Sequence, residues 1–145
     1  MNIVLVGYGR MGLEVERIAV ERGHNIVSRV DPIAKTADAS LLTDEICSKA
    51  ELAIEFSLPE AVEENARLYA KNEIRAVVGT TGVSLDKQNI ESLFEGSGAY
   101  LSGSNFSIGA QIFGSLVKKA AEICANLDAY DIFMYEIHHR QKKDS

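Results

Sequence analysis

Residues 4–12 read VLVGYGRMG. A short apolar run enters Gly7, Gly9 and Gly12 at G-x-G-x-x-G spacing, and Met11, Val15, Ile18 and Ala19 then recur at i, i+4, i+7 and i+8. That order is a strand, a tight turn and a helix in immediate succession, the helix ending at Gly23. In such a unit the first glycine makes the turn, the second lets a pyrophosphate approach the backbone, and the third brings helix and strand together. Phosphate then rests on the free N–H groups of the helix N-terminus. A glycine-rich turn can also be purely structural, so the next strand matters. Ile26 to Val30 is a second apolar run, and Asp31 closes it 19 positions after Gly12. There a carboxylate can accept hydrogen bonds from an adenosine ribose. Because it repels a 2′-phosphate, Asp31 favours NADH and leaves NADPH possible, with Arg29 and Lys35 close enough in sequence to weaken the preference. The alternative for Asp31 is an ordinary turn aspartate before Pro32.

Outward from this unit, apolar runs of four to six residues alternate with segments of helical period, as in a parallel sheet built from βαβ units. The expected strands are Ile3 to Val6, Ile26 to Val30, Leu52 to Phe56, Ala76 to Val78 and Ala99 to Leu101. Residues 34–50 are weakly periodic and read as loop plus a short helix. The segment SLPEAVEENARLYAKN, Ser57 to Asn72, offers Ser57 as N-cap and Glu60 three residues on, with Val62, Ala66, Tyr69 and Ala70 as the buried face. A further helix is expected at about Ser84 to Glu95, and the longest at Ile108 to Leu127. After it, AYDIFMYEI (129–137) reads as a strand apolar on both faces, which cannot bury itself alone. Either another subunit covers it or more chain follows. The expected class is therefore α/β: a Rossmann-type doubly wound parallel sheet over residues 1–106, followed by the incomplete start, at 107–145, of an α+β substrate and oligomerisation domain.

Open α/β sheets bind ligands at the carboxyl ends of their strands. Two further turns stand there, FSLPE (56–60) and GTTG (79–82), and SGSNFSIG (102–109) follows the fifth strand with Asn105. Gly79, Thr80, Thr81 and Gly82 offer backbone N–H groups and two hydroxyls, suited to a nicotinamide amide or a carboxylate and equally to an ordinary polar turn.

The chain has 145 residues, 46% of them apolar, enough for one compact unit. Its net charge is −6, while residues 138–145 hold Arg140, Lys142 and Lys143 against Asp144, a local net of +2. This balance argues against nucleic acid and anionic membrane as partners and suits a small anion near the terminal patch. Cys47 and Cys124 lie far apart and outside any metal-ligand spacing, so two reduced thiols and no metal site are expected. No run approaches the roughly 20 apolar residues of a bilayer span, and no charged leader precedes the first strand, so the cytoplasm is the expected location. In EIHHRQKKDS (136–145), His138 and His139 point to opposite sides of an extended segment, poor geometry for a shared metal. A solvated basic tail is the plain reading of those residues.

Together GYGRMG, FSLPE, GTTG, SNFSIG and EIHHRQKKD, in this order, resemble the bacterial dihydrodipicolinate reductase family of the lysine and diaminopimelate pathway, over essentially the whole chain. That family continues its E-x-H-H-x-x-K-x-D motif with P-S-G-T; here Glu136, His138, His139, Lys142 and Asp144 are followed by Ser145 alone. The resemblance implies a chain truncated within its substrate domain, and a homotetramer when complete. It implies reduction of a cyclic imine dicarboxylate by hydride from NADH or NADPH. His138 would be the general acid, imidazole titrating near physiological pH. Lys142, with His139, would anchor a substrate carboxylate and stabilise developing charge. Gly7, Gly9, Arg10, Met11 and Gly12 would follow the pyrophosphate. Phe56 and Ser57 would lie near the nicotinamide, and Gly79, Thr80 and Thr81 between cofactor and substrate, Thr81 touching both. Asn105 and Phe106 would border the cofactor at a hinge reaching Ser107. Two other readings stay open: a catalytically inactive NAD(H)-binding module or sensor, and a different dehydrogenase sharing the nucleotide-binding half.

Overall fold

A computed structural model describes residues 1–83, 87–96, 98–127, 129–135 and 137. Five strands, β1 (Asn2–Val6), β2 (Asn25–Val30), β3 (Leu52–Glu55), β4 (Arg75–Val78) and β5 (Ala99–Ser102), form one sheet in the order β2-β1-β3-β4-β5. Every neighbouring pair is parallel, with Ile3 opposite Leu52 and Ala53 opposite Ala76. Between the strands come α1 (Arg10–Glu21), α2 (Asp44–Cys47), α3 (Val62–Lys71) and α4 (Lys87–Leu93).

The alternation of side chains along β1 explains the two layers. Val4 and Val6 point to one face and join Val30, Leu42, Cys47, Val62, Tyr69 and Val78 in a core under α2 and α3. Ile3 and Leu5 point to the other, where Tyr8 and Ala19, with the partly buried Val15, complete a smaller core under α1. A parallel sheet must be covered on both faces, and each such side chain fully buried contributes roughly 1.5–3 kcal/mol. Helix α1 stops as the sequence predicts: Gly23 adopts φ +77° and donates to the Val20 carbonyl at 2.9 Å, and His24 donates to the Ala19 carbonyl at 2.9 Å. This double closure needs a left-handed residue, which glycine supplies without strain.

Two expectations are corrected. Ser57 is not a helix cap: Pro59–Ala61 form a 3-10 turn, α3 starts at Val62 after Ala61, and no side chain caps it. The Ser57 hydroxyl donates instead to the Glu55 carboxylate, an acceptor stronger than any neutral group nearby. The expected strand over 129–137 is not a strand in its described residues, 129–135 and 137. A strand needs a ladder partner, and the second unit offers α5 (Ile108–Cys124) as its one regular element among the described residues. The helix expected from Ser84 begins, as described, at Lys87, residues 84–86 lying outside the described set.

The chain divides into two compact units, Met1–Ser104 and Asn105–Ser145. In the second, the Ser107 hydroxyl caps α5 by accepting from the Ala110 N–H, and Ile112, Phe113, Leu116 and Ile123 are exposed along the helix. Among the described residues no helix is long and apolar enough to cross a membrane.

Candidate functional site

From β1 the chain turns to β2 on one side and then returns to β3 on the other, so the loops after β1 and β3 part and leave a crevice at the carboxyl end of the sheet. A cavity of about 230 Å³ opens there, walled by Gly7, Gly9, Asp31, Phe56 and Ser57. Each glycine of the turn does something different. Gly7 sits at φ +87°, and a Cβ there would lie 2.1 Å from the Phe56 carbonyl oxygen. A Cβ at Gly12 would stand 2.3 Å from the Gly7 carbonyl oxygen, so the contact of α1 with the β1 turn requires its absence. A Cβ at Gly9 would meet nothing within 4 Å. It would project into open space at the start of α1, where the first N–H groups of a helix have no internal partner. This is the place a pyrophosphate needs, bare backbone at the positive end of a 12-residue helix. Arg10 and Met11, the first two residues of α1, are exposed beside it.

Asp31, at the end of β2, is held by three backbone donors. Tyr8 N–H donates to Oδ2 at 2.8 Å, and Ile33 and Ala34 N–H donate to Oδ1, each at 2.8 Å. Burial pushes its pKa up, but the hydrogen bonds from Ala34, Ile33 and Tyr8 outweigh it and hold the carboxyl below its ordinary range. Asp31 is thus a fixed anion on the crevice wall. Oδ2, with one protein donor, retains capacity for a ribose hydroxyl. Arg29, two residues earlier, is engaged elsewhere: its guanidinium pairs with Glu16 and, at 3.0 Å, with Asp38, and lies 5.8 Å from the Tyr8 ring centre. The same cavity has apolar walls not anticipated from sequence, Ile33, Leu41 and Leu58, which are 81%, 71% and 50% exposed. Their signal was faint, single apolar residues in segments without period.

Beyond β3 the loops interlock. Gly79 N–H donates to the Glu55 carbonyl at 2.8 Å, and a Cβ on Gly79 would strike the Phe56 ring at 2.1 Å. Ser57 N–H donates to Thr80 Oγ1 at 2.9 Å. A second cavity of about 400 Å³ at the ends of β4 and β5 is lined by Thr80, Thr81, Tyr100, Ser102 and Ser104. Beneath the Phe56–Ser57 turn lies Glu55, wholly buried. Its carboxylate accepts from the Ser57 hydroxyl, from Asn65 Nδ2 at 2.7 Å and from Tyr69 Oη at 2.9 Å. Burial pushes its pKa up, against the lowering effect of those three donors. Sequence reading passed over Glu55, though an acidic residue inside the apolar run LAIEF is a visible anomaly.

Of the residues singled out from sequence, Gly7, Gly9, Asp31, Phe56 and Ser57 thus share one cavity, with Gly12 packed beneath it. Thr80 and Thr81 line the neighbouring one, and Gly79, just before them, packs against the Phe56 ring. Asn105 and Phe106 are exposed residues of the second unit. His138, His139 and Lys142 lie outside the described residues.

Residues 1–106 match the family described as dihydrodipicolinate reductase, N-terminus. The whole chain aligns at 38% identity with 59% of a 4-hydroxy-tetrahydrodipicolinate reductase of Christiangramia forsetii. It aligns at 34% with 60% of the protein of that name in Methanoculleus marisnigri. The chain therefore spans about 60% of the length of these curated relatives. Among solved structures, a dipicolinate-bound dihydrodipicolinate reductase from Paenisporosarcina sp. TG-14 superposes with a TM-score of 0.63 at 21% identity, over 83% of this chain and 53% of that one. Aspartate dehydrogenase from Thermotoga maritima gives 0.57 at 21% identity, over 81% and 52%. Both likenesses establish the fold.

Proposed function

The chain belongs to the dihydrodipicolinate reductase family, and from that membership we propose that residues 1–106 are the cofactor-binding half of an NAD(P)H-dependent reductase. It would convert dihydrodipicolinate, in its hydroxy-tetrahydro form, to tetrahydrodipicolinate on the route to diaminopimelate and lysine, in the cytoplasm and as a homotetramer when complete. The observation that carries the reading is the single crevice that gathers an open glycine at a helix N-terminus and a fixed aspartate at the end of β2. In it the N–H groups of Arg10, Met11 and Gly12 would take the pyrophosphate, Asp31 the adenosine ribose, and Ile33 and Leu41 the adenine faces. Phe56, Ser57, Thr80 and Thr81 would then border the nicotinamide end, and Asn105 and Phe106 are proposed as further cofactor contacts. Bound reduced nicotinamide supplies the hydride.

His138 is proposed as the acid that protonates the carbon next to the reduced centre, and Lys142 with His139 as the anchor for a substrate carboxylate. A dianionic substrate approaching a chain of net charge −6 needs such a local cationic patch. In the complete protein, His138→Ala is expected to lower turnover by about a hundredfold or more with little change in NADH affinity. Steady-state kinetics with unchanged turnover would remove His138 from the role.

NADH is the proposed preferred cofactor. Asp31 stays charged, and the Arg29 guanidinium, two residues earlier, is already paired with two carboxylates, so of the two cations close to Asp31 in sequence only the exposed Lys35 would offset the repulsion of a 2′-phosphate. Michaelis constants for both cofactors decide this, and a clearly lower value for NADPH contradicts it.

A further inference from the structure

Among the described residues of the first unit Glu55 is the most deeply buried acid, and the reading above gives it no task. A carboxylate taken out of water costs several kcal/mol unless its oxygens are satisfied. Here Oε1 accepts from the Ser57 hydroxyl and Asn65 Nδ2, and Oε2 from Tyr69 Oη. Asn65 and Tyr69 belong to α3 and are themselves buried, so they fix the carboxylate from behind. Ser57 is different. It lies at the open end of this chain of bonds, on the wall of the crevice with Gly7 and Asp31.

Both donors of Ser57 are committed to the protein. Its N–H goes to Thr80 Oγ1 and its O–H to Glu55, with the Leu58 carbonyl a longer alternative at 3.3 Å. A hydroxyl has one proton and two lone pairs. With the proton turned inward, what remains for a ligand is an acceptor. We propose that Glu55 is a positioning residue which fixes the Ser57 hydroxyl, through the Glu55–Ser57 bond, as a hydrogen-bond acceptor on the dinucleotide crevice. The ligand group it faces is then a donor, a ribose hydroxyl or a carboxamide N–H, and not a phosphate oxygen or a carboxylate. The inference rests on the crevice binding a dinucleotide, as proposed above.

The experiment is calorimetric titration of NADH into the intact chain and into Ser57→Ala, Ser57→Thr, Glu55→Ala and the double variant Glu55→Ala/Ser57→Ala, each with a thermal melt. Losing one neutral hydrogen bond predicts about a 3- to 10-fold weaker Kd for Ser57→Ala. Ser57→Thr, which keeps the hydroxyl, should bind like the parent. Glu55→Ala should weaken binding at least as much as Ser57→Ala, and the double variant should be no weaker than Glu55→Ala alone, since Glu55 acts through Ser57. A Glu55 serving folding alone would lower the melting temperature and leave Kd unchanged, or its loss would multiply with that of Ser57→Ala; either result overturns the proposal. If Glu55→Ala does not fold, Glu55→Leu/Asn65→Leu/Tyr69→Phe removes the acceptor together with its buried donors and carries the same expectation. Parent chain that binds while Glu55→Ala binds equally well refutes the inference alone, whereas parent chain that binds no NADH refutes the dinucleotide reading and the inference with it.

Discussion

A methyl group added at Gly9 would meet nothing within 4 Å, whereas one at Gly12 would stand 2.3 Å from a backbone oxygen. The same motif thus separates binding from folding residue by residue. Gly9→Ala is expected to melt like the parent and to weaken NADH binding by about tenfold or more, because the methyl would occupy the approach to the α1 N-terminus. Gly12→Ala is expected to lose roughly 1–3 kcal/mol of folding stability through overpacking. Denaturant melts and NADH titrations on both variants check this, and equal behaviour of the two would contradict it. Asp31 on the crevice wall and Glu55 buried behind it differ in a similar way. Asp31 is held below its ordinary value, so the stability it contributes is present above about pH 3.8 and is lost as pH falls through the lower folded-state value. Glu55 is held above its ordinary value, so its contribution is complete below about pH 4.5 and is lost as pH rises through the higher folded-state value. The stability of the parent relative to Glu55→Gln should therefore decline as pH is raised from about 4 to neutrality, while relative to Asp31→Asn it should increase as pH is raised from about 2 to 5. Urea melts across pH read both, and slopes of the opposite sign would show the burial argument to be wrong.

At the scale of elements, the strands were legible because each is a short apolar run bounded by turn residues, and all five expected runs lie within a residue or two of β1 to β5. The crevice was legible to the same degree, since Gly7, Gly9 and Asp31 follow from strand, turn and strand in order. What sequence could not convey was competition for hydrogen bonds. Ser57 and Glu60 have capping-box spacing, but a buried carboxylate two residues before Ser57 claims the hydroxyl, and the helix starts five residues later. Burial of Glu55 depends on β3 lying between β1 and β4, a fact of topology that no local window contains. The short α2 beside the cavity illustrates local stability. Thr43 caps it by accepting from the Ile46 N–H at 3.3 Å, and Asp44 ties it to Lys71 and Asn72 at 2.8 and 2.9 Å. Thr43→Ala is expected to cost about 1 kcal/mol by denaturant melt; no loss would mean that the exposed ties alone hold the helix.

At the scale of the molecule, the two units differ in self-sufficiency. Both hydrophobic cores lie wholly within Met1–Ser104. In the second unit no described residue is buried, and Phe133, Tyr135 and Ile137 are 85%, 76% and 77% exposed. Exposed apolar side chains in such number bind apolar dyes. Chain ending at Ser104 is expected to melt cooperatively near the temperature of the longer chain and to bind far less of such a dye; a fragment that fails to fold would contradict the assignment of both cores to the first unit. The claim on which the rest depends is that the dinucleotide lies over the start of α1. Backbone amide NMR during NADH titration tests it most directly: the account predicts the largest saturable shifts at Tyr8, Gly9, Arg10, Met11 and Gly12, and shifts that leave these amides unmoved would contradict it.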